Sequence, residues 1–172
     1  AELRKIKVGI NYVETQSVDA LNQYLERQKN ASRTSGASKA AQRFISDPLT
    51  QQAKHLAKKH QGIHPKFETT RVLIAEELGI NGGVRVLVFT ESRDTADSLT
   101  AFLSPTFSTE RFVGQATRDG SAGMTQKQQH TTISKFKNGD FNVLVSTSVA
   151  EEGLDIPDVD LVIFFEPVPT AI

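Results

Sequence analysis

The chain has 172 residues, room for one ordinary domain and part of another, and its lack of cysteine excludes a disulfide framework and a thiolate metal site. No signal peptide opens it and no run approaches the roughly 18 apolar residues of a membrane span, so an intracellular protein is expected. The net charge of zero is unevenly placed: residues 1–66 carry 12 Lys and Arg against 5 Asp and Glu, a balance of +7, whereas residues 67–172 carry 8 against 15, a balance of −7, which makes the first part a candidate surface for polyanion.

Residues 1–13 give no clear pattern. Val18, Leu21, Tyr24 and Leu25 fall at helical spacing and predict a helix over about residues 13–31. After the polar break at Ser32-Arg33-Thr34-Ser35-Gly36, a short helix carries Ala40, Ala41, Phe44 and Ile45 and ends at Asp47-Pro48. Pro48 suits the first turn of a third helix with Asp47 as its cap. Leu49, Ala53, Leu56 and Ala57 give that helix its expected apolar face, with Lys54, Lys58 and Lys59 on other faces and Gly62 as the stop. His64-Pro65 marks a junction. The next helix aligns Phe67, Arg71, Ile74 and Leu78 and ends at Gly79, before the turn Asn81-Gly82-Gly83. Residues 1–64 therefore read as a basic helical region, part of a bundle with few large apolar residues.

From Val84 the period changes. Residues 84–89 read as a buried strand, and Ser92 caps a helix carrying Ala96, Leu99, Phe102 and Leu103. Residues 107–113 form a second strand and residues 114–123 a loop. Thr125 and Gln128 make the capping box of a helix that ends at Asn138-Gly139. The apolar run 141–145 reads as a strand buried on both faces, and 161–165 as the next. Strand, helix, strand, helix, strand, strand describes a parallel α/β sheet with right-handed crossovers. Thr147 and Ser148 then stand at a strand's carboxyl end, where open α/β sheets place their ligands.

Residues 147–157 form the pattern Thr-x5-Gly-x-Asp-Ile-Pro. After a buried strand, this resembles motif V in the second RecA-like domain of superfamily 2 helicases. Val86-Leu87-Val88-Phe89-Thr90-Glu91-Ser92-Arg93-Asp94-Thr95-Ala96 resembles their motif IV, and Arg111-Phe112-Val113-Gly114-Gln115 the motif that follows it. Gly123-Met124-Thr125 and Phe165-Glu166-Pro167-Val168-Pro169 resemble the branch that contains archaeal Hef and its eukaryotic relative FANCM. Residues 38–66 are similar to the second half of Hef's helical insertion. The fold implied is a RecA-like parallel sheet with flanking helices over residues 65–172, preceded over residues 1–64 by the C-terminal part of an all-helical insertion domain.

The function implied is that of an ATP-dependent helicase or translocase on branched or forked DNA, in repair or restart of stalled forks. By resemblance, Thr90, Ser92, Arg93, Gly114, Gln115, Thr147 and Ser148 hold nucleic-acid phosphates, and Gly153 and Asp155 face ATP. Lys54, Lys58 and Lys59, close together on one helix, extend the expected DNA contact. No catalytic residue and no metal ligand is expected in this chain. The sequence holds neither the Gly-x4-Gly-Lys-Ser/Thr loop nor the Asp-Glu box that would cradle ATP phosphates and Mg2+. Both belong to a first RecA-like domain, which would precede residue 1, and motif VI would follow residue 172. The chain alone is thus expected to be inactive as an ATPase. Two rival readings are a RIG-I-like RNA helicase or sensor fragment, and a nucleic-acid-binding module that works without ATP.

Overall fold

The computed structural model describes residues 1–60, 62–115, 123–147 and 157–167. They fall into two compact units, Ala1–His64 and Pro65–Ile172.

The first unit is helical: α1 (Glu2–Asn11), a π-turn (Tyr12–Gln16), α2 (Val18–Ser32), α3 (Lys39–Ser46) and α4 (Pro48–Lys59). Side chains start three of the helices. Ser17 Oγ accepts from the Ala20 N–H, Ser38 Oγ from the Ala41 N–H, and Asp47 Oδ1 from the N–H groups of Leu49 and Thr50 at 2.9 and 3.1 Å, with Pro48 at the first helical position. The residues that gave no pattern form α1, and the helix expected over 13–31 is cut at Ser17, where the backbone turns extended to build the cap.

The core of this unit is small. Tyr24, Leu25 and Phe44 are buried, with Val8, Tyr12, Leu21 and Ile45 packed around them. The Tyr24 ring lies 5.3 Å from Tyr12 and 6.2 Å from Phe44. Its hydroxyl donates to the Lys5 carbonyl at 3.0 Å, and burial is the main reason that its pKa is pushed up to about 12.

The α4 helix corrects the periodicity reading. Leu49 and Leu56 are 74% and 61% exposed, while Lys54 and Ala57 face inward. The Lys54 side chain is only 11% exposed, and its ammonium meets Glu26 Oε1 at 2.8 Å, so the aliphatic stem packs and the charge is matched. The helix ends at Lys59 with His60 as its cap, ahead of Gly62.

The second unit runs α5 (Pro65–Ile80), β1 (Val86–Thr90), α6 (Arg93–Leu103), β2 (Thr109–Phe112), α7 (Gln126–Asn138), β3 (Val143–Thr147) and β4 (Leu161–Phe164). All pairings are parallel and the strand order is β2-β3-β1-β4. Alternation explains why β1 and β3 read as continuous apolar runs. Val86, Val88, Val143 and Val145 join Phe67 and Ile74 of α5 and Ala96, Leu99 and Leu103 of α6 in one cluster. Leu87 and Leu144 join Ile133 and Phe136 of α7 in a second cluster. The central strands β1 and β3 thus bury both faces between helices. The α7 helix starts with the expected capping box and ends at Gly139, whose φ of 78° is open to glycine at little cost.

At the amino ends of the strands, polar side chains tie the loops together. Asn142 Nδ2 donates to the carbonyls of Gly82 and Val84 at 3.2 and 3.0 Å, its Oδ1 accepts from the Ser108 hydroxyl at 2.8 Å, and Asp160 Oδ2 accepts from the Arg85 N–H at 2.8 Å. This edge is a structural seam, which leaves the carboxyl ends as the place to seek a ligand.

Candidate nucleic-acid interface

Strand register sets the site. Thr90, the last residue of β1, pairs with Thr147, the last residue of β3, so two hydroxyl residues lie side by side at the carboxyl edge. They are used differently. The Thr90 hydroxyl donates to the Ser92 carbonyl at 3.1 Å and braces the turn into α6. Thr147 is also buried, yet its Oγ1 has no hydrogen-bond partner among the described residues. A buried hydroxyl left unmatched costs free energy unless something fills the need, which marks Thr147 as ready for an acceptor or donor from outside.

The turn after β1 joins the end of β2. Ser92 caps α6: its Oγ accepts from the Thr95 N–H at 3.1 Å and lies 2.9 Å from the Thr95 hydroxyl. Arg93 reaches across and donates to the Gly114 carbonyl at 2.8 Å. That same carbonyl accepts from the Met124 N–H at 3.2 Å. Gln115 Nε2 donates to Gln129 Oε1 at 3.2 Å, and Gln129 Nε2 donates to the Val113 carbonyl at 2.9 Å. Gly123 closes the arrangement. A Cβ there would sit 2.1 Å from the Gln115 carbonyl oxygen, so only glycine lets these two backbones meet. Thr90, Ser92, Arg93, Gly114 and Gln115 are therefore linked within one network, beside Thr147. Ser148, Gly153 and Asp155 lie outside the described residues.

The α/β unit that carries this edge has counterparts among known proteins. Residues 66–171 match the helicase conserved C-terminal domain family. The chain belongs to that family. Its fold is RecA-like and similar to the crystal structure of the Pyrococcus furiosus Hef helicase domain, at a TM-score of 0.70 and 35% identity over 98% of this chain and 34% of that one. This helicase domain is also 50% identical over 93 residues to the ATP-dependent DNA helicase MPH1 of Pyricularia oryzae, covering 52% of the chain and 8% of that protein. It is 38% identical over 136 residues to a Methanocaldococcus jannaschii protein provisionally named as an ATP-dependent RNA helicase, covering 78% of the chain and 17% of the relative. The chain thus spans less than a fifth of these curated relatives.

The lysines expected to extend the interface separate in the structure. Lys54 turns inward to Glu26, whereas Lys58, whose side chain is 58% exposed, shares Glu26 at 3.4 Å, and Lys59 is exposed. The paired ammonium groups hold the Glu26 carboxyl below its usual pKa, Lys54 most of all. Of the three lysines expected to extend the DNA contact, Lys54 instead has its charge matched within the helical unit.

Two residues of this helicase domain that periodicity and motif left unassigned also shape the site. Gln129 is a polar residue on the buried face that carries Ile133, and that position was its signal. Glu166 follows β4 and is 5% exposed; its Oε2 accepts from the Glu91 N–H at 3.0 Å. An acid straight after a buried aromatic and before a proline was the corresponding signal.

Proposed function

We propose that the chain is part of an ATP-dependent DNA helicase or translocase acting on branched or forked DNA inside the cell. Residues 65–172 would serve as its second RecA-like lobe and residues 1–64 as part of a basic helical insertion. The observation that carries the reading is the meeting of Thr147, with its buried unmatched hydroxyl, and the Arg93–Gly114 link at the carboxyl ends of adjacent parallel strands. The similarity to DNA helicases of the MPH1 type and to the Hef helicase domain supports it.

In this reading Thr147 gives its hydroxyl to a backbone phosphate, and Arg93, held by Gly114, offers a guanidinium in a set orientation. Such contacts fix the strand's position without reading its bases, so little sequence preference is expected. Lys58 and Lys59 would add phosphate contacts on the helical unit. ATP would meet this lobe at Gly153 and Asp155. Among the described residues no group of three or more His, Cys, Asp or Glu side chains is placed to hold a metal ion.

Binding of fluorescein-labelled forked DNA, followed by anisotropy in a salt series, tests the proposal. Duplex contacts should give a log–log slope of about −0.9 per phosphate neutralised. Thr147→Val, which keeps shape and removes the hydroxyl, should weaken binding about tenfold, the size of a charge-assisted hydrogen bond. Unchanged affinity in that variant would remove Thr147 from the interface. The RNA-helicase name of the M. jannaschii relative supports a second reading, RNA as the substrate. Competition between fork DNA and duplex RNA decides between them.

A further inference from the structure

The Glu166 carboxyl lies at the same edge and is not among the proposed phosphate contacts. It is almost fully buried, its Oε2 takes the Glu91 N–H at 3.0 Å, and its Oε1 has no hydrogen-bond partner among the described residues. Glu91 sits between Thr90 and Ser92, in the turn that aims Arg93 at Gly114. Glu166 therefore joins the end of β4 to the turn that carries the proposed phosphate contacts, 75 residues away in sequence.

We propose that Glu166 is a positioning residue for this phosphate-binding turn, holding the Glu91 backbone in place and setting the charge that an incoming phosphate meets. The proposal rests on the reading that the turn holds nucleic-acid phosphate.

Two effects separate here. The Glu91 N–H needs an acceptor, and a neutral carboxyl or an amide oxygen can serve almost as well as a carboxylate. A carboxylate in addition puts a buried negative charge beside the incoming anion. Among the described residues, the charged groups that face it are the Glu91 carboxylate on the turn and the Lys66 ammonium at the start of α5, which itself lies 5.6 Å from the centre of the Phe165 ring. Burial is the largest influence on the carboxyl and pushes it up to about 7; Glu91's charge acts in the same direction, while the Glu91 N–H and Lys66 act against it. The residue thus changes charge near neutral pH. A phosphate in the turn favours the neutral form, so binding takes up a proton and tightens as pH falls through that range.

The experiment uses the 172-residue chain with Glu166→Gln and Glu166→Ala. The Glu91 backbone amide is followed by 15N NMR across the range, and single-stranded oligo-dT binding by anisotropy at constant ionic strength. The wild-type amide should titrate with a midpoint near 7, and the Gln variant should show no such titration. Dividing wild-type affinity by that of the Gln variant at each pH cancels every pH effect the two proteins share, and the ratio should fall on the order of threefold as pH rises through the midpoint. Glu166→Ala should bind more weakly than Glu166→Gln at every pH, because only Gln keeps an acceptor for the Glu91 N–H. A Glu91 amide that ignores pH, or an Ala variant that binds like the Gln variant, overturns the positioning role. Wild-type chain that binds no oligonucleotide while its Glu91 amide titrates overturns the phosphate reading of the edge and leaves the clasp standing.

Discussion

The two units of this chain bury different things. The α/β unit sets aliphatic side chains on both faces of a parallel sheet, and residues such as Val86, Val88, Leu99, Leu103, Phe112, Phe136 and Leu144 are at most 3% exposed. The helical unit gathers one small aromatic group around Tyr24 and leaves Leu3, Ile6, Ile10, Val13, Leu49 and Leu56 at least 40% exposed. It is held as much by polar ties: Asn22 Nδ2 to the Ala57 carbonyl at 3.1 Å, Tyr24 to the Lys5 carbonyl, and Lys54 to Glu26. The contrast teaches that one leucine-to-alanine change means different things in the two halves.

That contrast can be broken most directly with a matched pair. Leu99→Ala in α6 removes a fully buried side chain from a packed cluster and should cost about 2–5 kcal/mol. Leu56→Ala in α4 removes a side chain that is 61% exposed and should stay within about 0.5 kcal/mol. Urea denaturation of both variants checks this. A Leu56→Ala cost approaching that of Leu99→Ala would mean that the outward row of α4 is covered in solution.

Buried and half-buried carboxyls also differ between the two units. Glu26 is held ionised by cations, but Glu166 is buried with its carboxyl raised from 4.5 to about 7. The folded chain therefore binds a proton at Glu166 more tightly than the unfolded chain. Stability from this group is fully present below the unfolded value and is lost as pH rises through about 7. At about 1.4 kcal/mol per pK unit, the loss approaches ~3 kcal/mol as an upper bound. Glu166→Gln cannot ionise, so the stability difference between variant and wild type should shift in the variant's favour by that order as pH rises. Chemical denaturation at both ends of the range measures it, and a difference independent of pH would show that the carboxyl titrates as in water.

The α/β unit was more legible in the sequence, for reasons that individual residues make plain. In β1 and β3 the runs 86–89 and 143–145 are wholly apolar because both faces are covered, and they are short enough to exclude a helix. Thr125 with Gln128, and Asp47 with Pro48, announce helix starts through chemistry that acts within four residues. Thr90, Arg93, Gly114 and Thr147 were legible as members of motifs, and register then brings them together. The helical unit was less legible because periodicity weights size and polarity. Leu3, Ile6 and Ile10 of α1 face outward, while Val8 packs at the Tyr24 core and Gly9 is buried beside Leu21 and Tyr24. In α4, a lysine with a matched charge took the place expected of leucine. Glu166 could not be read as a clasp, because its partner's N–H is 75 residues away and no local rule reaches that far.

The smallest effect expected tests the lysines of α4. Each phosphate neutralised on duplex DNA contributes about −0.9 to the slope of log affinity against log salt. Lys54 spends its charge on Glu26 at 2.8 Å and is buried, so it releases no counterion from DNA. Lys58 lies farther from Glu26, at 3.4 Å, and remains largely exposed, and Lys59 is exposed. Lys54→Ala should therefore leave the salt slope on forked DNA unchanged, at a modest cost in stability, since Glu26 keeps Lys58 as a partner and is itself half open to water. Lys58→Ala with Lys59→Ala should make the slope shallower by up to ~2 and weaken all sequences alike, because phosphate contacts carry no base information. Anisotropy across a salt series, with each variant's fold checked by circular dichroism, separates the cases. A Lys54→Ala slope as shallow as that of the double variant would mean that the Glu26 pairing opens when DNA binds, and the inward assignment of Lys54 would fail for the bound state.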